Sequence, residues 1–128
     1  MHDALILFAH GARDPRWSAP FEAVAARVRA TRPGAPVRLA FLEFMAPGLV
    51  EAGTALVRAG HGNVAVLPMF LGTGGHVRKD LPLLLDELRA AHPACRFELL
   101  PAVGEMPEVV AAMAACASAV LATPESGA

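Results

Sequence analysis

Two histidines stand where strand-like apolar runs give out, and a glutamate stands at the end of a third such run. His10 closes Leu5-Ile6-Leu7-Phe8-Ala9-His10-Gly11, and His76 closes Pro68-Met69-Phe70-Leu71-Gly72-Thr73-Gly74-Gly75-His76. Glu43 follows the run from Val37 to Leu42. Imidazole suits divalent iron, cobalt, nickel and zinc. Two or three such ligands leave coordination positions open, unlike a closed structural site. A site with few ligands and no thiolate also releases its ion readily, which fits handing metal on better than storing it. Neutral imidazole and carboxylate can equally accept protons near neutral pH.

Taken singly, these residues have plainer readings. A histidine after a strand is more often a loop or packing residue than a ligand, and an exposed glutamate at a strand end is common. The neighbours favour a site. Gly11 follows His10, and Gly72, Gly74 and Gly75 precede His76, which permits close backbone approach to a ligand. Arg13 and Arg16 follow His10, while Arg78 and Lys79 follow His76. Cations so placed suit a substrate carrying several carboxylates, with solvated loop charge as the plain alternative. Asp80 either orients the His76 imidazole or, preferably, caps the following helix, with Pro82 in its first turn. Trp17 either lines the crevice or packs under the first helix. His2, His61 and His92 read as surface residues.

The elements that must position these residues alternate four times between strand and helix. Residues 3–9 form a continuous apolar run, as in a strand buried on both faces. Phe21, Val24, Ala25 and Val28 then recur at helical spacing over 18–31, with Ser18 as cap. The second unit is a strand over 37–42 and a helix opened by Pro47, with Leu49, Val50, Gly53, Leu56 and Val57 on one side and Gly60 as its stop. The third is a strand over 64–71, the glycine-rich loop that delivers His76, and a helix bearing Leu81, Leu84, Leu85 and Leu88. The last is a strand over 97–100 and a helix opened by Pro107, whose buried face would be Val109, Val110, Met113, Ala117 and Val120. The tail after Ala122 reads as frayed. This order predicts an α/β fold: a four-stranded parallel sheet with helices on both faces, doubly wound, as one domain over residues 1–128. His10, Glu43 and His76 would then share the carboxyl edge, where such sheets bind ligands.

Composition removes several classes. Apolar residues are 55% of the chain, enough for a core, and the formal charge of −1 argues against wholesale nucleic-acid binding. Two cysteines, Cys95 and Cys116, lack metal or disulfide spacing and read as small buried hydrophobes. No apolar stretch approaches the ~20 residues that span a bilayer, and the amino-terminal run reads as a strand, so a soluble, cytoplasmic protein with no membrane partner is the expectation. The glycine spacing is neither GxGxxG nor a phosphate-binding loop, so no nucleotide site is read.

Three segments together carry a specific resemblance: Ala9-His10-Gly11-Ala12-Arg13-Asp14-Pro15, then Ala40-Phe41-Leu42-Glu43 with Pro47, then Pro68 to His76 with Asp80-Leu81-Pro82. The chain resembles the short form of the CbiX family of class II chelatases, related to sirohydrochlorin ferrochelatases. Ala12 departs from it, since the family often has serine there. The resemblance implies insertion of a divalent metal (Co2+, Fe2+ or Ni2+) into a sirohydrochlorin-type tetrapyrrole, feeding cobalamin or sirohaem synthesis. It implies no organic cofactor, His10 and His76 as metal ligands, and a homodimer closing over the tetrapyrrole. Glu43 would assist as base or as a weak ligand, and Arg13, Arg16, Gly74, Gly75, Arg78 and Lys79 would meet the substrate. Two rivals stand beside it. One is a non-catalytic metal or tetrapyrrole carrier. The other is a histidine phosphatase, which expects an arginine where Ala9 stands.

Overall fold

The uninterrupted apolar run near the amino terminus becomes a central strand. In the computed structural model β1 (Ala4–Ala9) lies between β2 (Val37–Phe41) and β3 (Asn63–Pro68), with β4 (Arg96–Leu99) beyond β3. The structure describes residues 2–72 and 74–121, with the His76 side chain outside the description. All three strand pairings are parallel, and Ala9 stands opposite Phe41. A central strand is buried on both faces, which is why Leu5 to Ala9 shows no polar alternation.

Helices take the two faces unequally. Ile6 and Phe8 point into the larger core cluster with Leu49, Ala52 and Leu56 of α2 (Leu49–Arg58) and Leu81, Leu85 and Leu88 of α3 (Gly75–Ala91). Leu7 points the other way, toward Ala25 of α1 (Ala19–Thr31), with Val28, Leu39, Leu67 and Met69 packed around it. Each fully buried leucine contributes about 1.5–3 kcal/mol. The chain leaves β1 over one face and leaves β2 and β3 over the other. The crevice between the ends of β1 and β3 is therefore the topological switch point of the sheet.

Several local expectations change. The third strand stops at Pro68, and His76 belongs to the first turn of α3, not to the loop. Gly74 caps α3, so Asp80 and Pro82 lie inside it. Proline there forgoes one backbone hydrogen bond, and the buried Val77, Leu81, Leu85 and Leu88 hold the helix together across the gap. Gly48, not Pro47, caps α2. The largest departure is α4 (Pro107–Ala119): none of its residues is buried, and Val110 and Met113 are exposed. Cys116 is exposed with it, whereas Cys95 is buried as expected. The frayed tail anticipated after Ala122 lies outside the described residues.

Candidate functional site

Strand pairing brings the first two candidate residues together. The Leu42 N–H donates to the Ala9 carbonyl (2.9 Å), extending the β1–β2 ladder one step past the strands. His10 and Glu43 emerge side by side, with His10 Nδ1 3.4 Å from Glu43 Oε1. Gly11 makes this approach possible. A Cβ there would run into the Glu43 carbonyl oxygen and lie 2.8 Å from its carbonyl carbon, so only glycine lets the two segments pass.

Three neighbours hold His10, two of them at its imidazole and one at its backbone. The Phe70 ring, just past β3, lies against the imidazole with centroids 4.6 Å apart and planes tilted by 40°. The Trp17 indole Nε1–H donates to the His10 carbonyl at 2.6 Å. Glu43 takes the Nδ1 side, which leaves Nε2 as the nitrogen available to a ligand. The side chains of His10 and Glu43 are 44% and 38% exposed, so the pair sits at a mouth and not in the core. One oxygen differs: Glu43 Oε2 is sealed from solvent and has no hydrogen-bond partner among the described residues. An acceptor left unmet in this way favours a donor or cation beside it.

A cleft of about 450 Å³ opens in front of His10, lined also by Trp17, Phe21, Met69, Phe70, Leu71 and Gly72. Its walls are aromatic and aliphatic with one imidazole, which suits a flat, largely apolar ligand. The basic residues are arranged around it, not in it. The Arg13 guanidinium lies 5.1 Å over the ring of Phe44. Arg16 is held by Asp14 within its own loop, Nη2 to Oδ2 2.8 Å. That guanidinium keeps the Asp14 carboxyl below the usual carboxylate range, and Asp14 raises Arg16 in turn. Arg78 and Lys79 are exposed in the first turn of α3, which Gly74 and Gly75 open. The free N–H groups of that turn add partial positive charge at the same edge.

His76 occupies the second position of α3, and its side chain lies outside the described residues. Among the described residues no three His, Cys, Asp or Glu side chains gather into a metal cage. Trp17 takes the first of its two expected positions, lining the cleft. Phe70 was not anticipated: in sequence it is one more apolar residue of the third run, and only the end of β3 at Pro68 turns it toward His10. His61 and His92 are half-buried, not surface residues, and His92 Nε2 lies 3.0 Å from Thr54 Oγ1.

Fold and site define a doubly wound domain whose switch-point crevice carries a carboxylate-backed imidazole. The family model of CbiX matches residues 4–119, and the chain belongs to that family. A sirohydrochlorin cobaltochelatase of Methanococcus maripaludis is 31% identical over 83 residues, which are 65% of this chain and 58% of that protein. The chain thus spans less than two thirds of that relative. A CbiX protein of Marinobacter aquaeolei VT8 superposes with a TM-score of 0.79 at 28% identity, over 91% of this chain and 94% of that one. The sirohydrochlorin chelatase SirB of Bacillus subtilis subspecies spizizenii, solved in complex with cobalt, gives 0.74 at 26% identity, over 94% of this chain but 51% of its own.

Proposed function

We propose that this chain, as a single CbiX-like domain over residues 1–128, is a sirohydrochlorin chelatase that works as a homodimer. It would insert Co2+, Fe2+ or Ni2+ into the macrocycle. The observation that carries the reading is the His10–Glu43 pair at the mouth of an apolar cleft, with Glu43 Oε2 buried and unmet among the described residues.

The chemistry follows from that pair. Metal insertion exchanges water and protein ligands for four pyrrole nitrogens and releases two pyrrole protons. With Nδ1 turned to Glu43, the Nε2 lone pair of His10 faces an entering ion or a pyrrole proton. His76, from the first turn of α3 across the same edge, would be the second ligand. Glu43 would take up a proton or steady the imidazolium that forms, and its unmet oxygen gives it the capacity. Arg13, Arg78 and Lys79, with Gly74 and Gly75 opening α3, would meet the substrate's carboxylates. Arg16 would contribute only if its pairing with Asp14 opened. The metal is a substrate, and no organic cofactor is required.

Two copies are proposed because one domain walls only one side of a macrocycle, and because the similar SirB chain has about twice the length. The location proposed is the cytoplasm, in keeping with the free thiols of Cys95 and Cys116. No nucleic-acid or membrane partner is proposed: the net charge is −1, and no helix among the described residues is long and apolar enough to cross a membrane.

The deciding experiment supplies purified protein with sirohydrochlorin and each divalent metal in turn, and follows the macrocycle's absorbance. Insertion well above the spontaneous rate is expected, and its loss in His10→Ala and in His76→Ala. Full turnover in both variants would refute the ligand assignment. Binding of metal and tetrapyrrole without acceleration would leave a carrier in place of an enzyme.

A further inference from the structure

The two arginines that follow His10 are held in opposite ways. Arg16 is tied to a carboxylate: its Nε and Nη2 both donate to Asp14, at 2.8 to 3.2 Å. Arg13 is exposed, and among the described residues its guanidinium meets no carboxylate and donates no hydrogen bond. It lies instead on an aromatic face, with Cζ 5.1 Å from the Phe44 ring centroid. Among the described residues it is the one cation set on such a face. Its N–H donors are therefore free for an anion while the ring limits where the side chain can go.

Phe44 stands in a conformation that bulky residues rarely adopt. Its φ is 65°, and among the described residues it is the one non-glycine residue with positive φ. The Met45 N–H donates to the Glu43 carbonyl at 2.8 Å, which closes a γ-turn about Phe44. The form with positive φ at its centre is the strained one. A Cβ on Gly11 would run into that same Glu43 carbonyl, so the turn lies flush against the segment leading to Arg13. The strain does not bring the ring into the core: Phe44 is 62% exposed. Glycine would make this turn more easily. A bulky aromatic held there and shown to solvent marks a functional position, since packing gains little from it.

Placement narrows the role. Phe44 follows Glu43 at the end of β2, Phe70 follows β3, and His10 stands between them on the central β1. The cleft is walled by the segment after β3 and by Trp17 and Phe21, so Arg13 and Phe44 stand on the opposite flank of His10. A flat ligand that lies in the cleft and reaches over His10 brings its rim to this flank. On a macrocycle edged with carboxylates, the rim is where the anions are.

We propose that Phe44 is a positioning residue: the strained turn presents its ring as a shelf for Arg13, and the shelved guanidinium takes a rim carboxylate of the tetrapyrrole. This rests on the chelatase reading and names what decides how tightly the macrocycle seats.

The test uses quenching of the single tryptophan, Trp17, by sirohydrochlorin, which gives Kd without metal, beside Co2+ insertion followed by absorbance. Phe44→Leu keeps apolar bulk and removes the ring face, so Kd and KM should rise about tenfold while kcat holds. Phe44→Tyr restores the face and should bring both back. In an Arg13→Met background Phe44→Leu should add nothing, because the ring acts through the guanidinium. Phe44→Gly relieves the backbone and should not lower Tm, which separates this role from folding. Effects of Phe44→Leu and Arg13→Met that multiply would mean that the ring acts without Arg13, and would overturn the positioning role. Wild-type affinity in Phe44→Leu, or a marked fall in Tm in Phe44→Gly, overturns the inference and leaves the chelatase reading standing. A wild-type protein that does not bind sirohydrochlorin overturns that reading and the inference with it.

Discussion

Gly11→Ala should damage the candidate site more than the fold. The added Cβ would meet three backbone atoms: the Glu43 carbonyl oxygen, its carbon at 2.8 Å and the Met45 nitrogen at 3.2 Å. Backbone cannot rotate aside as a side-chain tip can, so the Glu43–Met45 segment must move away. Overpacking of this kind costs about 1–3 kcal/mol. Spread over a chain of 128 residues, that is a fall in Tm of about 4–11 °C. The His10–Glu43 contact is already 3.4 Å, at the limit of a hydrogen bond, and a shift of about half an ångström abolishes it. Loss of the group that orients a ligand imidazole costs about 10–100-fold in activity. The assay pairs thermal melting by circular dichroism with absorbance-followed metal insertion. Gly62→Ala, with nothing near its added Cβ, is the control and should change neither. If Gly11→Ala melts within about 1 °C of the wild type and retains full turnover, the close approach of the two segments does not govern the site.

Other outcomes follow from single observations. Glu43→Gln keeps the shape of the pair and removes its charge, so insertion should slow by about 10–100-fold while Tm holds. Leu88→Ala empties a fully buried position between α3 and the sheet and should cost about 2–5 kcal/mol, read by denaturant melts. Trp17 is the chain's one tryptophan and lines the cleft, so tetrapyrrole binding should quench its emission, and Trp17→Phe should remove the signal. Burial, with Asp3 adding to it, pushes the Cys95 thiol above its ordinary value of 9.0. The folded chain then holds that proton more tightly than the unfolded chain. Its contribution is whole below the ordinary thiol range and declines as pH rises beyond it, so Cys95→Ala should flatten the alkaline loss of Tm. At neutral pH a thiol reagent should reach Cys116 before Cys95.

The sequence carried the alternation of elements, the parallel sheet and the burial of β1, because an apolar run without alternation is what a two-faced strand requires. It also placed His10 and Glu43 at strand ends, and strand ends in a parallel sheet share an edge. The three motif segments carried the family. Tertiary structure alone decided the rest. That His10 meets Glu43 depends on register, Ala9 opposite Phe41, and register is a property of the pair of strands and not of either one. Phe70 reaches His10 because β3 stops at Pro68, three residues before its apolar run ends. Arg16 turns to Asp14 and Arg13 to Phe44, choices among nearby partners that spacing does not rank. Asp80 and Pro82 resemble a helix start, yet four buried apolar residues carry α3 through them. The last helix shows the limit most plainly. Periodicity tells which side of a helix is buried only when another side is polar, and α4 offers no such contrast beyond Glu108. Its sequence says that it must be covered; only the fold shows that its own chain leaves it bare.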